Sequence, residues 1–169
     1  MKNNFLIIAS AAFMLTFSSC TSCGNKKKSR ESQIEEFQSQ LTKEDTTTMF
    51  SLCDNAMELL KAKQYDRVLD NLFEYNDSTK EVKHLTDQTR KQYLAHFKMF
   101  PVLDYHRCYF SFQLEGCNDV KYKIVWATAE QAGTPEAPTI AFMFNPVKID
   151  GVWHLCVKTP TDQFDREKL

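Results

Sequence analysis

Apolar residues recur at two different spacings along this chain, and the change of spacing divides it. Met49, Cys53, Met57 and Leu60 recur every three to four residues, with Phe50, Ala56 and Leu59 widening the stripe. That is the signature of a helix with one buried face. Thr42 stands where an N-cap belongs, and Asp45 follows three residues on, near the positive end of the helix dipole. After "KAKQYD" a short second helix is expected from Val68, Leu69, Leu72 and Phe73. "NDSTKE" then reads as the opening of a third helix, because Ser78 and Glu81 have capping-box spacing. Val82, Leu85, Thr89, Tyr93 and Phe97 would share its buried face, and Pro101 would end it.

From Asp104 the period becomes two. His106, Cys108, Phe110, Phe112 and Leu114 alternate with Tyr105, Arg107, Tyr109, Ser111 and Gln113. "EGCND" is a turn, and Val120, Tyr122, Ile124 and Trp126 form the next in-phase set. A longer loop, "AEQAGTPEAP", precedes a third strand from Thr139 to Ile149. Asp150 and Gly151 form the strongest hairpin signal in the chain, since both residue types tolerate positive φ. The fourth strand follows, with Trp153, Leu155 and Val157 on one face. Pro146 cannot donate to a ladder and is expected at a bulge or an edge. Helices followed by strands predict an α+β domain, its N-terminal helices packed on a curved four-stranded antiparallel sheet.

The N-terminal residues lie outside this pattern. Phe5 to Phe17 is an almost unbroken apolar run after a single lysine, followed by Ser18, Ser19 and Cys20. Such a run is too short to cross a bilayer core about 30 Å thick, and it has the layout of a secretory signal. "FSSC" resembles the lipobox of bacterial lipoproteins, with Phe17 where an aliphatic residue is usual. The resemblance implies that residues 1–19 are removed and that Cys20 becomes an acylated N-terminus. Cys20 and Cys23 also have Cys-x-x-Cys spacing. A zinc site would need a second ligand pair, which no downstream spacing supplies, and a redox pair belongs at a strand-to-helix junction. The pair is therefore an anchor rather than a catalyst. Residues 20–41 read as a polar tether with a weak helical trace at Ile34, Phe37 and Leu41, residues 42–160 as the domain, and 161–169 as a tail. Lys26, Lys27, Lys28 and Arg30 would lie beside an anionic lipid surface, or serve as solvated linker charge.

Charge then excludes one class of partner. All 22 acidic side chains fall after residue 30, against 16 Lys and Arg, leaving about −6 on the folded part. A nucleic-acid-binding face is not expected from that balance. Four cysteines remain, Cys53, Cys108, Cys117 and Cys156; buried thiols are the default, with Cys53 and Cys108 in buried phase, although export would permit a disulfide. His84 and His96, twelve apart on the expected third helix, and His154, out of core phase, make no metal set. With no Gly-rich phosphate loop and no Gly-x-Ser-x-Gly motif, neither a cofactor nor a catalytic nucleophile is expected.

"MELLKAKQYDRVLDNLF" resembles the start of nuclear transport factor 2-like domains (cystatin-like, lumazine-binding-like), and "VKIDGVWHLCV" resembles their closing hairpin. The similarity spans about residues 42 to 160 and is shared by many small bacterial lipoproteins. It implies a cone, a curved sheet wrapped around a helix, whose mouth can hold a ligand. The candidate cavity is His106, Phe110, Phe112, Tyr122, Trp126, Phe142 and Trp153, converging on Met49, Cys53 and Met57. The expected function is a membrane-anchored module in a Gram-negative cell envelope, facing the periplasm, that binds a small apolar ligand or a protein partner. A homodimer is allowed. The rival is a cone-fold isomerase or dehydratase, for which His106 is the one candidate base. Carboxylates near Tyr122 would favour the enzyme, and a cavity filled by Phe112, Phe142 and Trp153 would favour the module.

Overall fold

The computed structural model describes residues 28–158. The signal at 1–19, Cys20, Cys23 and the tail at 161–169 lie outside the described residues.

Three helices come first: α1 (Arg30–Gln40), α2 (Lys43–Lys61) and α3 (Tyr65–Asp70). The Thr42 hydroxyl accepts from Asp45 N at 3.0 Å while Asp45 Oδ2 accepts from Thr42 N at 3.0 Å, closing a capping box at the start of α2. Met49, Cys53, Ala56, Met57 and Leu60 form the buried stripe of α2 that the spacing predicts. α1 buries no residue.

Two expectations fail in the next segment. Leu72 and Phe73 do not extend the second helix; α3 ends at Asp70, and Leu72 opens β1 (Leu72–Asn76). "NDSTKE" does not open a helix either. Asn76 Oδ1 accepts from Ser78 N at 2.9 Å and Thr79 N at 3.2 Å, which turns the chain into β2 (Glu81–His84). The Ser/Asp-rich stretch fits a side-chain-stabilised turn as well as a cap, and the unspent edge of the sheet decides for the turn. α4 (Asp87–Met99) starts later, with Thr86 as its N-cap, so His84 and His96 lie on a strand and a helix rather than on one helix.

β3 (Asp104–Ser111) and β4 (Asp119–Val125) precede a four-residue helix, α5 (Ala129–Ala132); β5 (Thr139–Ile149) and β6 (Val152–Val157) close the domain. The architecture is α+β, but its sheet has six strands in the order β2-β1-β6-β5-β4-β3, not four. β1 runs parallel to β6, so the sheet is mixed; every other pair is antiparallel. The four-stranded meander is present within it, extended at one edge by the β1–β2 hairpin.

Main-core residues come from both layers. Cys53, Met57 and Leu60 of α2 and Val68 and Leu69 of α3 pack with Val120, Tyr122, Ile124, Phe142, Phe144, Leu155 and Val157 of the sheet. A smaller cluster of Tyr75, Val147 and Cys156 forms separately, with Phe73, Val82 and Ile149 against it. Pro146 sits inside β5 without costing a ladder bond. Its carbonyl accepts from Asn118 Nδ2 at 2.8 Å, so its missing N–H faces the side where β4 has already ended.

Asp150 and Gly151 adopt φ of 50° and 82°, the paired positive values of a type I′ turn. Gly116 is also left-handed, at φ 80°, but differs in its surroundings: a Cβ there would lie 2.1 Å from the Tyr75 ring, whereas one at Gly151 meets nothing within 4 Å. Both Gly116→Ala and Gly151→Ala should lose stability through backbone strain of about 1–3 kcal/mol. Only Gly116→Ala adds overpacking, of similar size. Urea unfolding should therefore rank Gly116→Ala as clearly the more damaging; equal losses would remove the Tyr75 contact as the cause.

Candidate functional site

The in-phase reading of β3 breaks at Cys108. Arg107 pairs with Tyr122 and Tyr109 with Lys121, so Cys108 is an extra residue, a β-bulge. Before the bulge Tyr105 and Arg107 face α2; after it Phe110 and Phe112 do. One inserted residue thus reverses the phase of the first half of the strand. His106 is exposed, and its strand partner is Lys123, on the face away from the helices. Cys108 is exposed as well, contrary to its buried phase, while Cys53 and Cys156 are buried and Cys117 is half-buried.

Tyr122 occupies the interior that the candidate cavity would need. It is fully buried, and Phe142 beside it is nearly so. The other candidates disperse. Phe110 is 54% exposed and packs with Phe112 on Phe50; Trp126 packs edge-on against Phe100; Trp153 lies toward the start of α2. The seven residues do not surround one space.

A line of polar contacts joins α2 to β3 instead. Phe50, Asp54, Glu58 and Lys61 share one flank of α2 by their three- and four-residue spacing. The Tyr122 hydroxyl donates to Asp54 Oδ1, and Arg107 Nη2 donates to Asp54 Oδ2 at 3.1 Å. The Arg107 guanidinium also lies 3.8 Å over the Phe50 ring. Tyr105 donates to Glu58 Oε1, and Lys61 pairs with Asp104 at 3.3 Å. Burial, then the hydrogen bond to Asp54, pushes the Tyr122 hydroxyl well above the usual tyrosine range. Burial, then Glu58, does the same to Tyr105, and burial raises the Cys53 thiol. All three are held protonated. This cluster has carboxylates and tyrosines in contact, and each is engaged by a protein partner.

A second anchor stands at the start of α2. Asp45 Oδ1 accepts from Lys148 Nζ at 2.6 Å and from Trp153 Nε1 at 2.9 Å, while its other oxygen serves the capping box. The Lys148 contact, then the Thr42 backbone and Trp153, hold this carboxyl well below the usual aspartate range. Sequence reasoning finds the cap but misses both distant partners, because nothing local relates Asp45 to residues more than a hundred positions away.

An open cleft of about 320 Å³ lies on the other flank of α2, between that helix, α3, β1 and β6. Leu52, Leu59, Val68, Phe73, Trp153 and Leu155 supply apolar walls, with Asn55, Asn71 and His154 as polar groups. Of the seven candidates only Trp153 lines it. Among the described residues, no three His, Cys, Asp or Glu gather at metal-binding distance.

No family model matches the chain. No curated protein matches it either. Among solved structures, a Campylobacter jejuni protein whose name describes it as an NTF2-like transpeptidase aligns at 12% identity with a TM-score of 0.38, covering 64% of this chain and 96% of that one. The transpeptidase in the name belongs to that protein.

Two outcomes follow from these contacts. Tyr122→Phe removes a donor from a half-buried carboxylate and should lower unfolding free energy by about 1–3 kcal/mol, measured in urea; no loss would mean that Arg107 and water satisfy Asp54 alone. Asp45 has its folded pKa depressed, so its contribution is complete above the unfolded value of about 3.9 and is lost as pH falls through the folded value. Asp45→Asn should therefore flatten the fall of melting temperature at the acid end, and an unchanged acid slope would place that sensitivity on other carboxylates.

Proposed function

We propose that this chain is a lipid-anchored envelope protein whose domain, a variant of the nuclear transport factor 2-like fold, is a binding module for a small apolar ligand or a protein partner rather than an enzyme. Acylation at Cys20 would hold it on the bilayer, facing the periplasm. Three acyl chains exceed the two membrane signals that stable attachment takes. Among the described residues no helix is long and apolar enough to cross a membrane.

The observation that carries the non-enzyme reading is the filled interior. Tyr122 stands fully buried at mid-sheet with its hydroxyl committed to Asp54. The cone-fold isomerase remains the rival because a carboxylate does meet a tyrosine there. Yet both Asp54 oxygens already hold protein donors that tie α2 to β3 and β4, which favours a structural role for the pair. His106, the candidate base on sequence grounds, is on the opposite face from this pair.

Two measurements test the reading. The Cys20→Ala chain should leave the membrane fraction or retain its signal, whereas Cys23→Ala should remain processed and bound; the reverse would assign the anchor to Cys23. The wild-type chain, screened with apolar ketones and small acids, should show no turnover. Turnover abolished by Asp54→Asn in a folded protein would replace the module by the enzyme.

A further inference from the structure

We infer that the cleft beside α2 is a binding site for a small neutral amphiphile, an apolar body carrying one hydroxyl or amide N–H. The inference rests on the binding-module reading and names the site and ligand class within it. Leu52, Asn55, Ala56 and Leu59 follow at three- and four-residue steps, so α2 turns a single stripe to this space. That stripe lies on the flank opposite Asp54 and Glu58, and the helix thereby separates a charged seam from an uncharged cleft.

The walls determine what fits. No Asp, Glu, Lys or Arg lines the cleft. A ligand charge would lose water there and gain no counter-charge, so the site selects against ions. Volume sets the size, since about 320 Å³ lies at the lower end of small-molecule sites. Polarity sets the one specific contact. Asn71 Nδ2 donates to Arg67 O at 2.8 Å, which leaves the Asn71 side-chain oxygen as an acceptor with no hydrogen bond among the described residues. Asn71 is exposed, so a ligand donor would take the place of water at that oxygen. The site is also pre-formed in its aromatic wall: the Trp153 indole is fixed by its bond to Asp45, and Phe73 is wedged between His84 at 4.8 Å and His154 at 5.1 Å. Walls held by their own contacts lose little freedom on binding.

Trp153 provides the readout. The chain has two tryptophans, and Trp126 lies apart on Phe100. The full chain carrying Trp126→Phe reports on the cleft alone, and Cys20→Ala removes attached lipid as a competitor. Titration with 1-octanol should change Trp153 emission saturably, and sodium octanoate should bind at least about tenfold more weakly. Leu52→Glu, which places a charge on the wall, should weaken octanol binding by about tenfold or more. Asn71→Ala should weaken it severalfold with the melting curve retained, which covers the case in which Leu52→Glu fails to fold. A response linear in octanol, equal binding of octanoate, or indifference to Asn71→Ala in a folded protein would each overturn the site. Turnover in the ketone and acid screen would overturn the module reading instead, and saturable octanol binding that Asn71→Ala weakens would still support the cleft.

Discussion

A charge placed half inside the protein at Asp54 fixes how helix and sheet meet. A carboxylate partly withdrawn from water is held best where its oxygens gain donors. Here Tyr122 reaches one oxygen from β4 and Arg107 reaches the other from β3. Those donors stand on neighbouring strands as a cross-strand pair, so a single carboxylate reads the register between them. Sliding β3 by one residue would remove Arg107, and rotating α2 would remove Asp54 from both. Apolar burial of Cys53 and Met57 supplies the bulk of the attraction without direction. The Asp54 contacts supply the direction.

The bulge at Cys108 makes that arrangement compatible with the rest of β3. Without it, a strand that aims Arg107 at α2 would aim Tyr109 there and turn Phe110 and Phe112 away. Both phenylalanines pack on Phe50, one turn of helix before Asp54, so the bulge lets polar and aromatic contacts share one flank. Bulges re-aim side chains and also disturb an edge that could otherwise pair with another chain. β3 is such an edge.

These devices decide how much of the fold is legible in the chain. The α2 stripe, its Thr42 cap, the strands β4 to β6 and the Asp150–Gly151 turn are local patterns, and each appears where its residues place it. β1 and β2 are illegible for a physical reason: Leu72, Phe73, Tyr75 and Val82 fit a helical stripe and an alternating strand equally, and only the vacant edge of β6 separates the two. Alternation misplaces His106 and Cys108 because a bulge leaves no mark in a period-two pattern. The candidate cavity fails for a further reason. Alternation tells which residues face inward, and it does not tell whether the inward-facing residues leave room.

Asp45 links parts of the fold that are far apart in the chain. It closes the capping box that starts α2, and the same carboxylate holds Lys148 at the end of β5 and Trp153 at the start of β6. The last hairpin is thereby tied to the first turn of the central helix, across more than a hundred residues of chain. Trp153 is also a wall of the cleft, so the orientation of that wall is set by the group that begins the helix. A change that releases Asp45 acts on helix initiation, hairpin docking and cleft shape together, and the three effects cannot be assigned to separate residues. The domain thus has two carboxylates on α2 that do the orienting, Asp54 toward β3 and β4 and Asp45 toward β5 and β6. Between them they hold the helix against both halves of the four-strand meander, and the apolar stripe that they align packs into the core, with the uncharged cleft on the flank away from Asp54.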